Sequence, residues 1–165
     1  MAIVASDIHK RMSGGASNSD PAASLGGAMS STAFTNNAVF DDVSSGEATA
    51  GDIEYRCFYA YNAHATLTLT SAKVFIQAQT SSADTDIALA LGGEGKNGTA
   101  ETVANEGTAP TGESFSQPAS YAAGLALGDL APGDYFPIWI RRTVNAGAAA
   151  ATDTWTIRVQ GDTAA

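Results

Sequence analysis

The stretch Ile53-Glu54-Tyr55-Arg56-Cys57-Phe58-Tyr59-Ala60-Tyr61 decides the fold class. Ile53, Tyr55, Cys57, Tyr59 and Tyr61 recur at every second position, with Glu54 and Arg56 set between them. Successive side chains of a strand point to opposite faces, so the spacing predicts a half-buried β-strand carrying its charges on the second face. Asn62-Ala63-His64 reads as the turn that ends it.

Working outward, Leu67 and Leu69 alternate with Thr66, Thr68 and Thr70, a β-branched pattern suited to a pleated surface, and Lys73–Gln77 extends it. Ile87, Leu89 and Leu91 form a third alternating set between the turn-rich Thr80–Asp84 and a glycine-dense stretch, Gly92–Gly98. Residues 99–120 show no period and offer only Val103 and Phe115 as large apolar residues, which predicts a long surface loop. Tyr121–Leu127 supplies a further strand, followed by a Pro132-Gly133 turn that runs into Tyr135. Next, Ile138, Ile140, Arg142 and Val144 share one face of a strand and Trp139, Arg141 and Thr143 the other. Pro137 requires a strand start or an edge there. Trp155–Val159 is the last strand. A small-residue loop, Asn145–Ala151, makes it the expected antiparallel neighbour of the one before. Six or seven short strands predict an all-β fold, an immunoglobulin-like antiparallel β-sandwich chosen ahead of a jelly roll, with Tyr135 placed like a tyrosine corner.

Residues 1–50 read differently. Gly, Ala, Ser and Asn dominate Met12–Ala28, and such a segment buries too little apolar surface to offset its own ordering entropy. The expected division is an extended N-terminal arm over 1–50 and a β-sandwich domain over 51–165. Only 15% of the 165 residues are charged, against about 25% in ordinary soluble domains, which suits surfaces packed against neighbours. A net charge of -9, with only Lys10-Arg11 and Arg141-Arg142 as basic pairs, argues against a nucleic-acid partner. Cys57 stands alone, so no intrachain disulfide or cysteine metal site is expected and a reducing compartment fits. The opening Met1–Lys10 does not read as a secretion signal, and no run is long enough to span a membrane. Asn97-Gly98-Thr99, a glycosylation sequon in form, is read as a turn.

The candidate chemistry yields to plainer readings. Gly93-Glu94-Gly95-Lys96-Asn97-Gly98 fits the dinucleotide fingerprint, but Thr99–Gly107 is too short and turn-rich for the helix that would present its amides to pyrophosphate. Asp41-Asp42, Asp84-Thr85-Asp86, Asp129 and Asp134 offer oxygen donors for calcium without any known loop spacing, and Asp is itself a turn former. His9 and His64 lack partners at ligand spacing, and Cys57 falls on the apolar face as a core thiol. Arg141 and Arg142 point to opposite faces. Arg142 is expected at the sandwich end or paired with a carboxylate, and Arg141 with Trp139 at a contact surface. These residues define no catalytic set, no metal site and no cofactor.

The arm Ser13-Gly14-Gly15-Ala16-Ser17-Asn18-Ser19-Asp20-Pro21 with Leu25-Gly26-Gly27, together with Ile138-Trp139-Ile140-Arg141-Arg142-Thr143-Val144-Asn145-Ala146-Gly147, resembles small structural proteins of tailed bacteriophages. The resemblance implies a non-enzymatic virion subunit, a decoration or cement protein that bridges neighbouring shell subunits, or else a neck, tail or baseplate protein. It implies the major capsid protein or other virion proteins as partners, a homo-oligomer with a trimer expected, and a place in a virion assembled in the host cytoplasm. The interface residues it suggests are Ser13, Gly14, Gly15, Asn18, Asp20, Pro21, Leu25, Phe34, Phe40, Trp139 and Arg141.

Overall fold

A computed structural model describes residues 2–149 and 153–163. The deciding stretch is β3 (Asp52–Asn62), and it pairs antiparallel with β8 (Tyr135–Val144) from Asp52↔Val144 to Tyr61↔Tyr135. Adding β1 (Ile8–Met12) beside β3 and β5 (Thr85–Leu91) beside β8 gives a four-stranded sheet, β1-β3-β8-β5. A second sheet, β7-β4-β9, joins Leu125–Leu130, Leu69–Ala78 and Thr156–Thr163. A ribbon of β2 (Gly26–Gly27) and β6 (Ala100–Thr102) completes the sheets, and α1 (Ser45–Ala50), closed by a Ser44/Glu47 capping box, is a single short helix. The fold is an all-β sandwich of antiparallel sheets, as the alternating sequence predicts.

The alternation in β3 is present, but both of its faces are covered. Phe58 and Ala60 face the second sheet, in one core with Ile138 and Ile140 of β8, Ile87 and Leu89 of β5, and Val74 and Ile76 of β4. Cys57 and Tyr59 point the other way and pack with Trp139, Ala90, Ala100 and Val103 beneath the ribbon and the 100–115 segment. The strand is therefore not half-buried: its charged face meets the second sheet and the segment expected to be a surface loop covers the Cys57/Tyr59 face, leaving Ile53, 44% exposed, as its one exposed residue. Tyr59 fastens this cover: its hydroxyl donates to Gly27 O at 2.6 Å and accepts from Ala100 N at 2.9 Å.

The first fifty residues, expected to pack no core, contribute Met12, Phe34 and Val39 to it. They dock chiefly through backbone. Beyond the end of β1, Cys57 N donates to Ser24 O, and the buried Ser13 hydroxyl donates to Cys57 O. At Gly26 (φ +92°) a Cβ would lie 1.7 Å from Glu101 O, so only glycine allows this approach.

Two further expectations are corrected. β8 and β9 are not neighbours: both flanks of β8 are already occupied by β3 and β5, so the chain after Val144 crosses to the second sheet and pairs with β4. Part of the expected hairpin loop, residues 150 and 151, lies outside the described residues. The strand expected at Tyr121–Leu127 begins only at Leu125, because Tyr121–Ala123 forms a turn closed by Gly124 N on Tyr121 O. Pro137 is tolerated inside β8 because β5 has ended: Gly92 N donates to Pro137 O, so the missing N–H faces the side where no strand continues. The Pro132-Gly133 turn is present, Asp134 N donating to Ala131 O, but among the described hydrogen bonds the Tyr135 hydroxyl makes none. The corner is held by Asn62, fully buried, whose Nδ2 donates to Leu67 O (2.9 Å) and Leu130 O (2.8 Å) while Oδ1 accepts from His64 N.

Candidate functional site

The β3–β8 register sets Glu54 directly opposite Arg142, on the face that carries Phe58 and Ile140 further along. Arg56 lies two residues on, on the same face. Their charges end inside the sandwich: Glu54 is 1% exposed and Arg56 fully buried. Arg142 forms an ion pair with Glu54 Oε2, donates to Asp41 O at 2.7 Å and approaches Asp41 Oδ1 at 3.4 Å. Arg56 donates to Val39 O and Tyr55 O, both at 3.1 Å, and pairs with Glu106 Oε2 at 2.5 Å. The Phe40 ring covers both guanidinium groups, 4.8 Å from that of Arg142 and 5.5 Å from that of Arg56, a cation–π arrangement. Val39, Phe40 and Asp41 thus clamp the N-terminal segment over the end of the sandwich.

Burial pushes Glu54 up to about 7, and the Arg142 guanidinium only partly offsets it. Its second oxygen, Oε1, is buried without a hydrogen-bond partner. An oxygen from each of Asp41, Glu54 and Glu106 lies within 4.8 Å of the other two, a gathering of three potential metal donors among the described residues.

Beside the clamp opens a cleft of about 590 Å³, walled by Phe40, Arg142, Trp155, Asn37, Ser44 and Asp153. Asp153 is committed to the loop above it, accepting from Ser81 Oγ and Ser82 N, each at 2.9 Å, and from Thr85 Oγ1. Partial burial opposes its ionisation, but these hydrogen bonds prevail and hold its carboxyl below the usual range.

The structure scatters the residues singled out from sequence. Ser13, Phe34 and Trp139 are buried, Trp139 completely and with its indole N–H unpartnered, so none presents a surface in this conformation. Gly14 and Asp20 are exposed; Gly15, Asn18, Pro21, Leu25, Phe40 and Arg141 are partly so. Arg141 stacks 5.3 Å from the Phe115 ring, while Arg142 finds its carboxylate in Glu54. Cys57 is fully buried and burial drives its thiol pKa far up, as a core thiol requires. His64 Nδ1 accepts from Thr66 N and Leu67 N, closing a turn. Gly92–Gly98 runs through two turns into β6 with no helix behind it, and Asn97 (φ 62°) occupies one of them. Asp129 accepts from Ser71 N, and Asp134 from Asn97 Nδ2 and Ala131 N, each serving a turn.

Sequence reasoning missed Lys10. Its Nζ donates to Asn36 Oδ1 (2.7 Å) and to Ile157 O of β9 (2.9 Å), bridging the two sheets, and burial lowers its pKa to about 8. No local signal marks it, since its partners lie far along the chain. No family model, curated protein or solved structure matches the chain.

Proposed function

We propose that this is a non-enzymatic structural protein of a phage virion, binding the capsid surface as a decoration or cement protein that stabilises neighbouring shell subunits. The observation that carries the reading is the character of the outer layer. Between Arg11 and Asp41 the sole charged residue is Asp20, and the segment presents Gly14, Ala16, Ser17, Ala22, Ala23 and Ala28 to solvent. Charge depletion marks the core of protein interfaces, and small side chains lose little entropy when covered. The resemblance of this segment and of Ile138–Gly147 to phage structural proteins supplies the partner. In this reading the N-terminal segment docks from its seat on the sandwich rather than as a free arm, and repeated copies add weak contacts into a firm grip.

The test is cosedimentation of the purified protein with undecorated heads and, separately, with tails. Pelleting with heads at a copy number comparable to the shell subunit supports decoration; pelleting with tails alone moves the protein to the neck, tail or baseplate. The cleft beside Phe40 and Trp155 favours a second reading, a ligand-binding module. Failure to pellet with either particle, joined to a saturable thermal shift with a small molecule, selects that reading.

A further inference from the structure

Each of the three clustered carboxylates spends one oxygen on an arginine: Asp41 Oδ1 and Glu54 Oε2 on Arg142, and Glu106 Oε2 on Arg56. The second oxygen of each has no described hydrogen bond, and that of Glu54 is buried and orphaned, a costly state for an acceptor. We propose that Asp41, Glu54 and Glu106 bind a calcium-class divalent cation, Glu54 from the floor and Asp41 and Glu106 from the rim. A cation bonded at about 2.4 Å joins oxygens no more than about 4.8 Å apart, and one carboxylate oxygen from each of the three residues lies within that limit of the other two. The donor set is all oxygen, as hard cations require. Three carboxylates against two guanidinium groups leave one net negative charge, and each arginine fixes the orientation of the carboxylates it bonds. The rim is open: the Asp41 side chain is 62% exposed and that of Glu106 45%. Water supplies the remaining ligands. Because the donors come from the N-terminal segment, β3 and the 103–107 loop, the cation ties all three together.

The test uses the full chain stripped with EDTA and titrated with CaCl₂ at constant ionic strength, following the unfolding temperature. In parallel, Tb³⁺ luminescence is excited through Trp155, whose ring lies 6.4 Å from that of Phe40. The expected result is a saturable rise in Tm, half-complete at about 10⁻⁴–10⁻³ M, the range of weak extracellular-type sites, with Ca²⁺ displacing the Tb³⁺ signal. Asp41→Asn and Glu106→Gln lie at the exposed rim, where folding tolerates change, and each should weaken binding by about tenfold or more. Asp129→Asn, remote from the cluster, should bind as the parent does. Absence of a saturable response up to about 10 mM Ca²⁺, well above the affinity of weak sites, overturns the proposal. So does a response that both rim variants keep at full strength, which would assign it to screening of a chain carrying net charge -9.

Discussion

Replacing Asn62 with alanine removes the side chain that holds the corner between β3, the 63–68 turn and the β7–β8 turn. Three hydrogen bonds disappear, and their backbone partners are not equally placed. Leu130 O is fully buried and becomes an orphan, at a cost of about 1–3 kcal/mol. Leu67 O and His64 N are partly buried and can recover water, so each loses about 0.5–1 kcal/mol. The sum is about 3 kcal/mol, which for a chain of this size lowers Tm by roughly 6–12 °C. Urea unfolding followed by tryptophan fluorescence reads the same loss as a lower midpoint at unchanged slope. Asn62→Asp sharpens the test. The acceptor for His64 N stays, but a carboxylate now faces two carbonyls, so its folded pKa is raised and stability should recover as pH falls from that raised value toward the ordinary Asp value of about 3.9. An alanine variant within about 0.5 kcal/mol of the parent, the scatter of ordinary surface substitutions, would refute the reasoning.

Arg142→Met strands the Glu54 carboxylate inside the sandwich and should cost about 3–5 kcal/mol in denaturant unfolding, much of it regained in the Glu54→Leu/Arg142→Met double variant. Lys10 keeps its proton to about 8 when folded and to 10.5 when unfolded, which raises stability with pH from about 8; above about pH 9 the buried Cys57 thiol, which the unfolded chain deprotonates first, acts in the opposite sense, so the net rise is confined to about pH 8–9 and amounts to about 1–1.5 kcal/mol. Lys10→Met should flatten that window. Above about pH 10 the slope turns downward in the parent, and in Lys10→Met it does so from about pH 9, because burial holds the Cys57 thiol and the Tyr59 phenol up and the unfolded chain loses both protons first. Tyr59→Phe should raise hydrogen exchange at Gly27 and Ala100, where the cover is fastened, by about tenfold while leaving Ile138 and Ile140 protected. Cys57 should resist a disulfide reagent until the chain unfolds, and prompt labelling of the native protein would contradict its burial.

Period-two spacing exposed most of the strands, since β3, β5 and β8 alternate large residues over seven or more positions. Spacing does not say which face meets the other sheet. Glu54 and Arg56 made their face look solvated, yet Phe58 and Ala60 on that same face form the core and the charges neutralise one another at its end. The pairing of Glu54 with Arg142 spans 88 residues and follows only from the β3–β8 register, which no local pattern encodes. The docking of the N-terminal segment escaped notice for a different reason. Its docking uses carbonyls, amides and glycine backbone, and composition registers only the side chains it lacks. Arg142 was expected to seek a carboxylate; which one it finds is a property of the assembled sheets.

That pairing pattern also dictates when the protein can acquire its structure during synthesis. β3 and β4 leave the ribosome early, but β8, which completes the first, comes more than seventy residues later, and β9, which pairs with Leu69 through Thr163, is the last described strand. Until then both strands present unpaired amides and apolar side chains to solvent, with β1 the one partner already made for β3 and β7 the one that reaches β4 before β9. A chain arranged in this way gains its stability almost all at once, when β8 and β9 have emerged, and a pause in translation before β8 prolongs the interval in which neighbouring nascent chains can pair with each other instead.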